Sequence, residues 1–387
     1  MVLNNISSSI PTTALGVLEV DISKLIENYR YLQSQAPGAV CGAAVKADAY
    51  GLGQNTVSYY LALAGCDNFF VVQVEEGIRL REYLRTALPH KNPKIYVMVG
   101  VMPGTEDLLI HYGLIPTLLA PYQLMLWRKA AFRHEKNLPA VLHFDTGMAR
   151  TGFMADQAID LANSSGDLEG ISLKMIMSHL TCSNEHEHPM NQIQLKAFDQ
   201  LCAGFPGVPQ SLSNSWGIFL GKDFHKNVVR PGGGIYGLSL AQGVTNDIPG
   251  IKGIISIKAK IVQIHTIRAG ASVGYSGTFV AQRPTRIATL GVGYADGYTR
   301  GLSNKGIVKI KNWIVPVIGR VSMDFVTVDV TDIPENQVKE GEWALLMGDE
   351  LRLKDVASQI ETISYELAVN ISERYHRQYI MTDIESI

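Results

Sequence analysis

The stretch FFVVQVEEGIRLREYLRTAL, residues 69–88, decides the fold. Its first five residues form a run rich in aromatic and β-branched side chains, of a length that suits a buried strand. The remainder carries apolar residues at helical spacing, with glutamates in its first turn and an arginine near its end, the polarity a helix dipole favours. Strand followed by helix makes one β/α unit. The same alternation fills the first 240 residues: apolar runs recur at 40–46, 69–73, 95–100, 115–120, 140–145, 173–180, 211–215 and 227–236, and amphipathic segments such as PYQLMLWRKAAFRHEK (121–136) separate most of them. Eight runs over about 250 residues match the strand count and size of a (β/α)8 barrel and exceed the commonest doubly wound sheets.

Beyond Pro249 the texture changes to alternating residues broken by Gly, Asn and Asp: IISIKAKIVQIHTI (254–267), VGYSGTFV (273–280), RIATLGVGY (286–294), GIVKI (306–310), WIVPVIGRVSMDFVTVDV (313–330) and WALLMG (343–348). Period-2 patterning of this kind reads as antiparallel strands, and 353–376 reads as a closing helical stretch. The expected architecture is α/β: a TIM-type (β/α)8 barrel over 21–245, then a mainly antiparallel β domain over 246–387. A lead-in and strand, 1–20, precede them, and that strand could pack on the C-terminal domain.

The 387 residues are 46% hydrophobic and 18% charged, with 34 basic side chains against 36 acidic ones. At about 150 residues per domain this length suggests two or three domains, able to bury roughly three quarters of the unfolded surface. There is no basic excess to neutralise nucleic-acid phosphates, and the apolar stretches stop far short of a membrane span. Cys41, Cys66, Cys182 and Cys202 are far apart and contain no C-x-x-C, so buried, reduced thiols are expected and neither zinc nor a disulfide framework. The N-terminal sixteen residues lack a basic segment followed by an apolar core, which points to a cytoplasmic protein.

In such a barrel the site lies at the C-terminal ends of the strands. Lys46 ends the run VCGAAV, where desolvation would lower its pKa and make it a Schiff-base nucleophile; from position alone, a lysine snorkelling to solvent is the simpler reading. DTGMARTGF (145–153) and MSHL (177–180) follow the fifth and sixth runs. Taken singly, Asp145 reads as a turn residue, Arg150 as a surface cation and His179 as a satisfied core histidine. The seventh and eighth runs end in SNSWG (213–217) and VRPGGGIYG (229–237), where glycine and serine can offer donors to a phosphate. GLGQNT (51–56) lacks the third glycine of a dinucleotide fingerprint. A lysine, a phosphate cradle and no nucleotide motif point to pyridoxal phosphate. EHEHP (185–189) offers His186 and His188, but it lies in a polar loop and reads as solvated, so no metal is expected. Tyr59, Tyr60 and the aromatic residues around Trp127 sit at helical spacing and read as packing.

These motifs together resemble the alanine racemases, nearly end to end. The resemblance is carried by AVKADAYGLG with Lys46, DTGMARTGF with Arg150, MSHL with His179, SNS with Ser215, RPGGGIYG with Arg230, VGYSGTF with Tyr275, GVGYADG with Tyr294, GRVSMDF with Met323 and Asp324, and ISYEL with Tyr365. It implies that Lys46 holds pyridoxal 5'-phosphate, that Tyr50, Asn214, Ser215, Tyr365 and the backbone of Gly232 and Gly233 bind it, and that His179 lies beside its ring. Arg230 would face the ring nitrogen. Because arginine is always charged and only donates, the ring would stay neutral, whereas relatives that decarboxylate diamino acids place an acid there. Lys46 and Tyr275 would transfer protons on opposite faces of Cα, with His179, hydrogen-bonded in turn to Arg230, supporting the tyrosine. Arg150, Tyr294, Met323 and Asp324 would meet the substrate.

In this family the β domain reaches the barrel mouth of a second subunit, which implies a homodimer with composite sites and, in a bacterium, D-alanine supply for peptidoglycan. One position departs from the pattern. The family commonly has a carbamylated lysine two residues before the DTGM aspartate, and this chain has His143, which forms no stable carbamate; His143 itself, a bound anion or some other arrangement would have to hold Arg150. The rival readings are a racemase for serine or a broader set of amino acids and a non-catalytic pyridoxal-phosphate carrier. Such carriers lack a second domain.

Overall fold

The computed structural model describes residues 9–164, 166–238 and 248–381. They form two compact units: one comprises the described residues of Met1–Leu25 and Tyr236–Ile387, the other Ile26–Ile235. Residue 245, near which the sequence suggested a boundary, lies outside the described residues.

In the unit Ile26–Ile235 seven parallel strands pair in chain order: Ala43–Ala44, Asn68–Val71, Lys94–Val97, Ile115–Leu118, Leu138–His143, Ile171–Met177 and Gln210–Ser211. Helical crossovers make sequential parallel neighbours possible. The eighth run contributes only Val228–Val229, which pairs in parallel with Val40–Cys41, the other half of the first run. Val40, Gly42 and Ala44 N–H donate to the carbonyls of Asn227, Val229 and Pro231 at 2.8–2.9 Å, and Arg230 N–H donates to Ser213 O at 2.9 Å. These bonds close the ring as a (β/α)8 barrel. The first run is split at Gly42, where a Cβ would meet the Phe70 ring at 2.6 Å and Asn68 O at 2.9 Å, so only glycine fits.

Strand Asn68–Val71 is buried along its length, as a strand covered on both faces must be. Burying each of Phe69, Phe70 and Val71 contributes about 1.5–3 kcal/mol. Helix Val74–Ala87 follows directly and buries Val74, Gly77, Leu80 and Leu84, its inward stripe. Arg81 lies in that stripe too, with its guanidinium donating to Tyr112 O, Asn92 Oδ1, Pro93 O and Gly113 O.

The other unit is built on an eight-stranded sheet. Its central strand, Ile255–Ile267, pairs antiparallel with Gly16–Asp21, Trp343–Met347 and Thr285–Leu290. Burial alternates strictly over its first seven residues, one face in and one out. Gly16–Asp21 pairs on its other side, in parallel, with His376–Ile380, so residues from both ends of the chain share this sheet. The closing helical stretch expected over 353–376 is two short helices, Leu353–Ser358 and Ser364–Val369, ahead of that strand. The break falls at Glu361, which has φ 58°, and at the β-branched Thr362 and Ile363 that follow it.

Cys41, Cys66 and Cys202 are buried free thiols and Cys182 is half-buried; burial pushes all four thiols up. Among the described residues no helix is long and apolar enough to cross a membrane, and no group of three His, Cys, Asp or Glu side chains could hold a metal.

Candidate active site

Lys46 follows the first barrel strand directly and opens a turn that L-residues rarely adopt. Ala47, Asp48, Ala49 and Tyr50 all have left-handed backbone angles, with φ between 50° and 57°. At about 1–2 kcal/mol per residue this conformation persists only where its surroundings hold it. Glu76 holds one end: its Oε1 accepts Ala47 N–H at 2.6 Å while its Oε2 accepts Val72 and Gln73 N–H at 2.8 and 3.0 Å. Gln54 holds the other, donating its N–H to Asp48 Oδ1 at 2.7 Å and its Nε2 to Val45 O at 3.2 Å. The Lys46 amine is half-buried and its pKa is lowered, by burial first and then by the Arg150 charge, with Glu76 opposing.

Ser215 and Gly232 form a second cluster in the same unit. The Ser215 Oγ accepts Gly232 N–H at 2.9 Å and Gly234 N–H at 3.1 Å, which fills its acceptor positions and leaves its own proton to donate. A Cβ at Gly232 would lie 2.3 Å from the Tyr50 hydroxyl, so the glycine admits Tyr50 to this cradle. Asn214 acts locally, its Oδ1 accepting Ser183 Oγ–H at 3.0 Å and Gly217 N–H at 2.9 Å. Arg230 is buried; its guanidinium donates to Ser211 Oγ, to Ser178 O at 2.6 Å and to Leu212 O at 3.5 Å. Burial lowers its pKa to about 10, which still leaves it charged at neutral pH.

Strand Leu138–His143 leads into the Arg150 loop. Asp145 Oδ1 accepts Gly147 and Met148 N–H at 2.8 and 2.9 Å, and these turn bonds outweigh burial to lower its pKa. Phe153 N–H to His143 O at 2.8 Å and Asp145 N–H to Phe153 O at 3.0 Å close the loop base. Arg150 is exposed and makes no hydrogen bond or ion pair among the described residues. Burial, then Arg230 and Arg150, push His143 down to about 4 and His179 to about 3, so both rings are neutral at pH 7. The His179–Arg230 hydrogen bond expected from the sequence is absent among the described residues, because the guanidinium is directed to Ser211, Ser178 and Leu212 instead. His143, uncharged, supplies no negative charge to Arg150.

The remaining candidates belong to the other unit, where three of them share one loop cluster. Tyr294 and Ala295 N–H donate to Ser322 O and Met323 O at 3.0 Å, and Arg374 bridges Asp296 at 3.1 Å and Asp324 at 2.9 Å. Arg320 links this cluster to the turn Tyr275–Gly277, donating to Ser276 Oγ at 2.9 Å. Tyr275 is 69% exposed, and Tyr294, Met323 and Phe325 are 43%, 53% and 47% exposed. A strand tyrosine would be half-covered; Tyr275 instead projects from its turn. Tyr365 stands half-buried on helix Ser364–Val369.

Residues 20–240 match the family described as "Alanine racemase, N-terminal domain", and residues 254–379 match "Alanine racemase, C-terminal domain". The chain belongs to the alanine racemase family. It is 39% identical over 373 residues to the catabolic alanine racemase of Rhizobium johnstonii, covering 96% of this chain and 97% of that protein. It is 39% identical over 367 residues to the alanine racemase of Rickettsia rickettsii, covering 95% and 99%. The structure of alanine racemase from Bartonella henselae with covalently bound pyridoxal phosphate superposes with a TM-score of 0.88 at 34% identity, covering 95% of this chain and all of that one. Barrel and β domain are therefore this family's fold.

Sequence reasoning missed the residues that brace the alanine racemase motifs. Glu76 and Gln194 carry no motif of their own and contact the site only through the fold, while Gln54 and Thr146 lie inside GLGQNT and DTGMARTGF without a spacing that shows their bracing role. The available signal was a glutamate in a helix's first turn straight after a barrel strand, which describes Glu76.

Proposed function

We propose that this protein interconverts L-alanine and D-alanine using pyridoxal 5'-phosphate held on Lys46. The protein is then an isomerase, a pyridoxal-phosphate-dependent amino-acid racemase. The observation that carries this reading is a barrel unit that gathers a strand-end lysine of lowered pKa, a serine–glycine cradle and a buried arginine charged at neutral pH, in a chain matching both domains of the family. The cradle fits a phosphate: the Ser215 hydroxyl has a proton to give and Tyr50 reaches Gly232, and the family resemblance would add Gly233, Asn214 and Tyr365. When bound, the cofactor supplies a conjugated ring that acidifies the substrate Cα–H.

The chain's own residues do the rest. Burial lowers the Lys46 pKa, which favours the free amine that would take a proton from Cα and return it. Arg230 would face the ring nitrogen; charged and only a donor, it could not take a proton from that atom, which disfavours the acid-assisted chemistry of decarboxylases. Arg150 holds the substrate carboxylate; Tyr294, Met323 and Asp324 border the substrate, the last with its carboxylate engaged by Arg374. Tyr275 serves the face of Cα opposite Lys46. It comes from a second copy of the chain, making a homodimer, and the exposed Tyr275, Tyr294, Met323 and Phe325 support this as a patch that needs cover. The product serves peptidoglycan synthesis.

Replacing Tyr275 with Phe tests the reading. Turnover of L-alanine should fall by about 10²–10⁴-fold, the range for one positioned acid or base, while the absorbance of bound cofactor is unchanged. Loss of the cofactor, or undiminished turnover, would contradict it.

A further inference from the structure

Gln194 lies on helix Pro189–Cys202 and is fully buried. Its amide is spent on two loops that carry site residues. Nε2 donates to Thr146 Oγ1 at 3.2 Å and to His179 O at 3.0 Å, and Oε1 accepts Thr181 N–H at 2.8 Å. Thr146 and Ser178, both buried, join the same network through a hydroxyl–hydroxyl bond of 2.7 Å, and the Ser178 carbonyl accepts from Arg230. The helix also packs against the loop backbone, since a Cβ at Gly147 would meet Met190 Cε at 2.3 Å and Gln194 Cγ at 3.6 Å.

The Arg150 loop is stiff within itself, through the Asp145 turn and the closed Phe153–His143 base. Stiffness alone does not aim it. Arg150 has no partner of its own among the described residues, so the place of its guanidinium follows from where the loop is fastened. Besides the backbone bond from Phe144 N–H to Met177 O at 2.9 Å at its base, that fastening is the Thr146 side chain, held by Gln194 and Ser178. We infer that Gln194 is a positioning residue, setting the Arg150 loop against the end of strand Ile171–Met177 and so fixing where a carboxylate is held relative to His179. The inference rests on the reading of Arg150 as the carboxylate-holding cation. A displacement of about 1 Å at such a group can cost as much as 10²-fold.

The test uses the cofactor-loaded protein and propionate, which is alanine without its amine and so binds without reacting. Gln194→Ala and Thr146→Val should each raise the propionate dissociation constant about tenfold by calorimetry, raise KM for alanine more than they lower kcat, and leave the cofactor absorbance in place. Because the Gln194–Thr146 bond is common to both variants, the double variant should lose less than the product of the two single losses. Dissociation constants within twofold of the parent in both single variants would overturn the inference, as would a double-variant loss equal to the product of the singles. If Gln194→Ala does not fold, Thr146→Val, which keeps the shape and removes only the hydroxyl, decides by the same thresholds. Arg150→Ala separates the two levels. Undiminished propionate affinity there would overturn the reading of Arg150 and this inference with it, whereas a loss there without a loss in the other variants would overturn this inference alone.

Discussion

His143 and His179 are basic side chains kept uncharged by burial beside Arg230 and Arg150, with pKa values pushed from 6.5 to about 4 and about 3. The unfolded chain therefore binds more protons than the native one below pH 6.5, and the native state loses stability as pH falls from there toward 3. The urea midpoint of the cofactor-free protein should drop between pH 7.5 and pH 5, and His143→Asn should flatten that drop. An unchanged slope in the variant would place the acid sensitivity elsewhere. Lys46 has the same physical origin, since burial and Arg150 act on its amine together. Lys46→Arg keeps the charge but cannot form a Schiff base; borohydride treatment should then fix no pyridoxyl group to the chain, where the parent is labelled at Lys46.

The strand-end turn is the element on which Lys46 depends. Four consecutive left-handed residues without a glycine among them are stabilised by Glu76 and Gln54, which belong to neighbouring helices. Glu76→Gln swaps one acceptor oxygen for a donor facing backbone N–H groups, and should cost about 1–3 kcal/mol in a denaturant titration. Gly232→Ala should act differently, displacing the Tyr50 hydroxyl and weakening cofactor affinity about tenfold or more with little change in melting temperature. Elements differ in how far sequence discloses them. Strand Asn68–Val71 and helix Val74–Ala87 were legible because apolar period and helix-end charge agree. The Lys46 turn was not, since ADAY carries no signal for positive φ and its conformation is imposed by Glu76, 30 residues away along the chain. The stretch 353–376 misled for a related reason: its helical spacing is real over two short pieces, and the break depends on the Glu361 turn and on sheet pairing of His376–Ile380 with a strand from the other end of the chain.

Over the whole molecule, the proposed reaction draws on motifs that lie in two units. Lys46, Arg150, His179, Ser215 and Arg230 belong to Ile26–Ile235, while Tyr275, Tyr294, Met323, Asp324 and Tyr365 belong to the unit containing Tyr236–Ile387. Such a division was legible as motif order, but the companions of each motif were not, because Arg374 with Asp324 and Gln194 with Thr146 are contacts of folding rather than of spacing. If Tyr275 is supplied by a second copy, specific activity should fall as the protein is diluted through its dimer dissociation constant; a monomer of full activity would contradict the shared site. Racemisation itself is read most directly at the substrate Cα. With the cofactor-loaded protein and L-alanine in deuterated water, D-alanine should accumulate to parity with L-alanine while Cα acquires deuterium, with L-serine run alongside to report side-chain selectivity. Retention of both chirality and the Cα proton in alanine would contradict the assignment.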